Sequence, residues 1–309
     1  MGMINVSNKF KTLRTATAQA LLRARPETIA SAQSGETPKG EVFPIARIAG
    51  IQAAKLTNQL IPYCHPVNIT WVGVEFEANE DTLTITATVN AIDRTGVEME
   101  ALTAATIAAL TVYDILKPID HSLEIGAVRL IEKRGGKGDF IEPLEQPIKS
   151  AVIVLSDSAY RGEREDTAGR TIIAKLSEYP VEVTEYKILP DDEMRLIREL
   201  LRLCDAEHID LIFTTGGTGV GPRDITPEAT SKVIEREVEG IAQMMRAFGG
   251  ERTPLAALSR AKVGIRGESL IINLPGSARA VCESLDALLP WIFHIFPMLR
   301  GEQSPHHHP

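Results

Sequence analysis

The rhythm of apolar positions changes once along this chain, near residue 150. Before it, alanine-rich stretches with three- and four-residue spacing give way to threonine-rich stretches of period two. Leu13, Ala16, Ala20 and Leu21 lie near helical spacing and predict a helix over 10–25, after a short extended lead-in. Residues 31–40 (SAQSGETPKG) read as a turn-rich, mobile loop ending near Lys39. Ile45, Ile48, Leu56 and Leu60 share one side of a predicted helix over 45–60, entered at Pro44 and ended by Pro62. Residues 69–76 and 83–89 read as strands, the second alternating with threonines, joined by a turn at Asn79-Glu80-Asp81. Thr95 and Glu98 have capping-box spacing and open a helix of small residues over 97–117. A strand over 127–131, a basic loop over 133–139 and a linker over 141–149 with two prolines follow.

Beyond that point the apolar runs become short and continuous. Residues 151–155 (AVIVL) suit a strand covered on both faces. A helix from about 167, a strand over 181–189, a helix over 193–204, a strand from 211 and a strand over 270–274 complete an alternation that predicts an α/β sheet. Ser277 can cap the helix that follows. The expected organisation is two domains, 1–140 and 150–303, with a disordered tail over 304–309.

Composition narrows the function classes. At 309 residues with 44% hydrophobic content the chain is an ordinary globular protein, and its net charge of −8 argues against nucleic acid as the main partner. Cys64, Cys204 and Cys282 are far apart and form no metal or disulfide spacing, which fits a reducing cytoplasm. No secretory signal core is present at the N-terminus. The most membrane-like stretch, 287–299, is interrupted by prolines and too short to span, so no membrane partner is expected. A phosphate site must then be a local cluster of cations or amides.

The strongest candidate for one is LIFTTGGTGVGPRD, 211–224, in which Gly216, Gly217, Gly219 and Gly221 follow an apolar run. Thr226-Pro227-Glu228 then starts a helix, with Thr226 as a possible cap. Strand, glycine loop and helix N-terminus together point backbone N–H groups at an anion. A tight turn with no ligand is the plain alternative. The spacing is not that of the three-glycine dinucleotide fingerprint. Asp191 and Asp224 lie at strand ends, where ligands of open sheets bind. Beside phosphate they would repel it unless a cation lay between, which implies magnesium; helix capping is the structural alternative for Asp191. In the first half, His65 is fenced by Pro62 and Pro66, and Asp114 and Lys117 share a helix face. Glu100 lies fourteen residues before Asp114, about 21 Å of helix, so one small pocket cannot easily hold both. Either one of them is structural, or the sites are shared between subunits, and the second is the expectation.

KGEVFPIARIAGIQAAK, LIPYCHP, GVEMEALTAATIAAL, TVYDILK and GGKGDF resemble the cyclic pyranopterin monophosphate synthase family over nearly all of 1–140. The resemblance implies a ferredoxin-like α+β fold and a hexamer with sites between subunits. It also implies conversion of 3′,8-cyclo-7,8-dihydroguanosine triphosphate to cyclic pyranopterin monophosphate and diphosphate. By motif, it carries roles onto Lys39, His65, Glu100, Asp114 and Lys117, with Arg14 and Lys137 as further candidate cations; Asn5 stands where the family has an aspartate. SDSAYRGEREDTAG, LPDD, TTGGTGVGPRDITPEAT, REVEG and NLPGS resemble the molybdopterin adenylyltransferase family over about 150–300. This implies a three-layer α/β/α domain with a mostly parallel sheet, commonly trimeric, that joins molybdopterin to AMP using ATP and Mg2+. Asp191 and Asp224 match its required aspartates, Gly216, Gly217, Thr218 and Gly219 its phosphate loop, and Ser277 a pterin contact. Some members of this fold bind pterin without proven adenylylation, so a pterin-binding or oligomerisation module is the alternative. The expected whole is a cytoplasmic, bifunctional homo-oligomer, trimer or hexamer, of molybdenum cofactor synthesis.

Overall fold

A computed structural model describes residues 2–141 and 143–302, and the expected tail lies outside them. The chain divides into two compact units, meeting at Asp139 and Phe140.

The first unit carries β1 (Thr12–Arg23), α1 (Pro26–Ser34), α2 (Val42–Leu60), β2 (Ile69–Ala78), β3 (Thr82–Asp93), α3 (Glu98–Leu116) and β4 (Glu124–Arg134). Its sheet has the order β2-β3-β1-β4, and each neighbouring pair is antiparallel. The expected helix over 10–25 is in fact β1. Arg14, Ala16, Ala18, Ala20 and Leu22 are buried while the residues between them are not. That is period two, masked by alanine's high helix propensity. Alanine is used there because the sheet lies close against α3, whose Ala101, Ala104, Ala105 and Ala108 are fully buried. Part of the expected loop over 31–40 is the end of α1, closed by Gly35 at φ 75°. The capping box is also absent: Val97 precedes α3 with no side-chain cap, and Glu98 instead pairs with Lys133 at 3.3 Å. By length and composition α3, rather than 287–299, is the helix among the described residues that would suit a membrane. Half of that helix is buried, and that half packs into the core of this unit.

Asp120, past the end of α3, anchors the return to β1. Its side chain is fully buried and accepts from Arg25 N–H at 2.9 Å, Ser122 N–H at 2.8 Å and the Ser122 hydroxyl at 2.7 Å. Burial pushes its pKa up, but these hydrogen bonds outweigh burial and hold the carboxyl well below the usual carboxylate range. Such a group contributes stability above the unfolded-state value of about 3.9, lost as pH falls toward the folded value. Asp120→Asn therefore costs the first unit about 2–4 kcal/mol near neutral pH. In urea unfolding of both proteins that gap should close as the pH is lowered below about 4.

The second unit carries β5 (Ile148–Leu155), α4 (Asp157–Tyr160), α5 (Ala168–Leu176), β6 (Val181–Leu189), α6 (Glu193–Leu201), β7 (Leu211–Thr215), α7 (Thr226–Val233), β8 (Arg236–Glu237), α8 (Glu239–Gly250), β9 (Val263–Arg266), β10 (Ser269–Leu274), α9 (Ala278–Leu288) and α10 (Ile295–Leu299). Sheet order is β6-β5-β7-β10-β9-β8; the first four strands are parallel and β9 and β8 form an antiparallel edge. Strand residues alternate between two cores. Val152, Phe213 and Ile272 pack with α5, α8 and α9, whereas Ile153, Ile212 and Ile271 pack with α6 and α7. Helices thus cover both faces, which is why these strands read as unbroken apolar runs. The chain runs from β5 out to β6 and then back to β7 on the other side of β5. The resulting switch point lies between the carboxyl ends of β5 and β7.

Candidate active sites

In the first unit α2 and α3 run antiparallel, in contact where Gly50 faces Ala104 and Ala108. A Cβ on Gly50 would stand 3.1 Å from the Ala104 carbonyl oxygen, so glycine sets the approach. Lys39, just before α2, therefore meets the end of α3, and Cys64, just after α2, meets its start. The candidate residues divide accordingly.

At one end, Lys39 Nζ donates to Asp114 Oδ2 at 2.7 Å and to the Asp114 carbonyl at 2.9 Å, while Lys117 Nζ lies 2.7 Å from Asp114 Oδ1. Hydrogen bonds from Lys117 and Lys39 bring the Asp114 carboxyl down to about 2. The bond to Asp114 raises Lys117 in turn, so it stays an ammonium through neutral pH. All three side chains are 40–55% exposed, leaving their charge open to a polyanion.

At the other end, Glu100 is 1% exposed, and Cys64 Sγ donates to its Oε1 at 3.3 Å. Burial raises the Glu100 pKa, and Glu98 adds to this. His65 is half-buried beside Cys64. Arg14, one of the candidate cations, is buried and donates to the Asp93 and Arg94 carbonyls. The first unit thus brings Lys39, Asp114 and Lys117 together and separates them from Glu100 by most of α3.

In the second unit the glycine loop lies at the switch point. Gly216 has φ 98°, and a Cβ there would stand 2.3 Å from the Leu155 carbonyl oxygen at the end of β5. Gly217 has φ 63° and packs on Thr226. Thr226 does not cap α7; Ile225 holds that position, and the Thr226 hydroxyl donates to the Gly216 carbonyl at 2.8 Å. Gly276 approaches Gly216 from the turn after β10, and Thr215 Oγ1 donates to the Pro275 carbonyl at 2.7 Å. A small cleft of about 80 Å3 opens here, with Ser156, Asp166, Thr215, Gly216 and Gly276 among its walls. Gly216→Ala adds a side chain at a left-handed backbone and against fixed backbone. It is expected to lower the stability of the second unit by about 1–3 kcal/mol, read by urea unfolding.

Asp224 sits within the loop, its Oδ2 accepting from Gly221 N–H at 2.7 Å. Asp191 follows β6. Burial raises its pKa, and the charge of Asp224 adds to this. Asp192, not Asp191, caps α6, accepting from Arg195 N–H at 2.9 Å. Ser277 does cap α9, accepting from Ala280 N–H at 3.3 Å. Three further residues hold this arrangement, and of these Arg260 was not legible in the sequence. Asp157 Oδ1 accepts from Asp191 N–H at 3.0 Å. Arg223 pairs with Asp157 and lies 3.6 Å from Asp191. Arg260 pins the loop by donating to the Gly219 carbonyl at 2.6 Å and the Asp224 carbonyl at 2.7 Å. Beyond Ser277 lies a cavity of about 530 Å3 whose walls include Met245, Arg246, Arg252, Ser259, Ser277 and Ser284. Among the described residues no three His, Cys, Asp or Glu side chains gather to hold a metal ion.

An ammonium–carboxylate cluster on one unit and a glycine loop at an α/β switch point on the other define a two-domain protein with a candidate small-molecule site on each unit. Residues 3–136 match the MoaC family, and residues 151–294 match a family described as "Probable molybdopterin binding domain". A molybdenum cofactor biosynthesis bifunctional protein from Chlorobaculum tepidum is 41% identical over 300 residues, covering 97% of this chain and 95% of that protein. One of the same description from Synechococcus elongatus is 37% identical over 312 residues, covering 97% and 98%. A cyclic pyranopterin monophosphate synthase from a Roseiflexus species is 50% identical over 142 residues, covering 45% of this chain and 90% of that protein. The chain belongs to the family of bifunctional molybdenum cofactor biosynthesis proteins, with a MoaC domain followed by a molybdopterin-binding type of domain.

Proposed function

We propose that the first unit converts 3′,8-cyclo-7,8-dihydroguanosine triphosphate to cyclic pyranopterin monophosphate and diphosphate, and that the second binds molybdopterin and adenylylates it with ATP. The observation that carries the first assignment is the pair of ammonium groups held on Asp114. Closing a cyclic phosphate breaks one phosphoanhydride bond and forms one ester bond, so charge must be received on the departing diphosphate. Lys39 and Lys117 are exposed to receive it, and Lys117 stays protonated and oriented for donation to the rearranging ring. The β-α-α-β-β-α-β succession, a β-α-β-β-α-β pattern with the short α1 added, and the sheet order β4-β1-β3-β2 support a ferredoxin-like reading of this unit. The separation of Glu100 and His65 from Lys39, Asp114 and Lys117 supports sites completed by a second copy of the chain.

For the second unit, the loop amides at the switch point suit the phosphates of ATP. The donor set, two carboxylates whose charges oppose each other, suits Mg2+ arriving with the nucleotide, since that ion is usually held by one or two carboxylates plus phosphate oxygens. It would supply charge neutralisation at the phosphates. Asp191 and Asp224 would orient it, and the arginine-lined cavity beyond Ser277 is wide enough for a pterin. Attack by a molybdopterin phosphate oxygen on the α-phosphorus would release diphosphate, with no side-chain nucleophile needed. A binding or oligomerisation module is the second reading, favoured by Arg223, which pairs with Asp157 and lies 3.6 Å from Asp191, where it competes with a cation for those carboxylates. Purified protein supplied with each substrate in turn tests both assignments. Diphosphate from the cyclised guanosine triphosphate carries the first, and diphosphate from ATP only when molybdopterin is present carries the second. Its absence in the latter case leaves the binding module.

A further inference from the structure

The Cys64–Glu100 contact is not used by the reading above. Glu100 lies in the first turn of α3 and is 1% exposed, with one oxygen, Oε1, taking the Cys64 thiol at 3.3 Å. The other, Oε2, is buried and has no hydrogen-bond partner among the described residues. A buried carboxyl oxygen without a partner costs stability and is kept where it meets a ligand. Cys64 is poorly suited to be a nucleophile: burial, then the charge of Glu100, pushes its thiol up to about 12, so it stays an S–H donor.

We propose that Cys64 is a positioning residue for Glu100: its thiol ties Oε1, fixes the carboxyl plane and leaves Oε2 as the single oxygen presented to substrate. This rests on the proposed activity of the first unit. The charged groups around the pair are Glu98 on the same helix, Lys133 of β4 on Glu98 at 3.3 Å, and Arg14 of β1, which feels the charge of Glu98. His65 follows Cys64 in the chain, and its carbonyl is a weaker second acceptor for the thiol at 3.7 Å. Besides the thiol, the backbone N–H of Glu100 itself favours the carboxylate, so removal of the thiol takes away the side-chain tether and leaves the carboxyl plane free to turn.

A hydrogen bond to a carboxylate favours the charged form, so its loss moves the Glu100 titration to higher pH. In the full-length protein, Cys64→Ala should move the limb of the kcat pH profile that Glu100→Gln removes upward by about one unit, and lower kcat about tenfold with little change in KM. Cys64→Ser restores a donor of shorter reach and should recover part of both. The 13C resonance of the Glu100 carboxyl, assigned by its loss in Glu100→Gln, should show the same upward move without any turnover. An unmoved Glu100 titration in Cys64→Ala, or a Cys64→Ser variant as impaired as Cys64→Ala, overturns the proposal. Wild-type protein that releases no diphosphate while the carboxyl titration still moves would leave the contact intact and remove the activity it serves.

Discussion

Asp114→Ala and Lys117→Ala should each lower formation of the cyclic phosphate by about three orders of magnitude, with the first unit still folded. The expected size follows from what Asp114 holds. Its two carboxyl oxygens take one ammonium each, Lys39 on Oδ2 and Lys117 on Oδ1, both at 2.7 Å. Without the carboxylate, two exposed lysines of like charge have nothing to fix them, and they drift apart along flexible stems. Transition-state charge would then meet mobile cations rather than placed ones. The fold does not depend on them, because exposed ion pairs add little to stability. Unchanged circular dichroism beside lost turnover is the outcome to look for, and retained turnover removes the assignment. A second arm tests the shared site. Glu100→Ala chains and Asp114→Ala chains, each inactive, should recover activity when dissociated and reassembled together, because one mixed contact then holds both intact ends. A site contained in one chain would recover none.

How much of this was legible in the sequence depends on whether a residue's partner is near it in the chain. The parallel strands announced themselves, since Val152 and Ile153 must satisfy cores on opposite faces and both must be apolar. The glycine loop was legible because the φ of 98° at Gly216 is a local demand that favours glycine, although the Leu155 carbonyl it must also clear comes from a different strand. β1 was misread because alanine serves two needs. Its small side chains let the sheet approach α3, yet they also favour helix, and the alternating threonines carried the weaker signal. Thr95 and Thr226 both had cap spacing, and neither caps: Val97 and Ile225 precede the two helices, and the Thr226 hydroxyl goes to the Gly216 carbonyl. Arg260 could not be found by spacing. Arg260 reaches the loop from 36 residues beyond Asp224, and its meaning exists only once Gly219 and Asp224 present carbonyls to it.

Asp191→Asn and Asp224→Asn should each reduce molybdopterin-dependent diphosphate release from ATP about a thousandfold while the rate of the first unit stays at the wild-type value. Asparagine is the informative replacement. Asp224 Oδ2 accepts from Gly221 N–H at 2.7 Å, and an amide oxygen can keep that bond and the loop shape while removing the charge. Alanine would loosen the loop and mix two effects. Asp191 has a further signature, since burial and the charge of Asp224 raise its pKa. Its carboxylate form is lost as pH falls through that raised value, so activity should decline there. In Asp224→Asn the like charge is gone, and any residual activity should persist to lower pH. Arg223 supplies the control. It competes for Asp157 and Asp191, so Arg223→Ala should strengthen Mg2+-dependent ATP binding, measured by calorimetry, if the carboxylates serve the metal-bound nucleotide. If the arginine pair is instead the finished state of a non-catalytic module, the same variant should lose stability and gain no affinity.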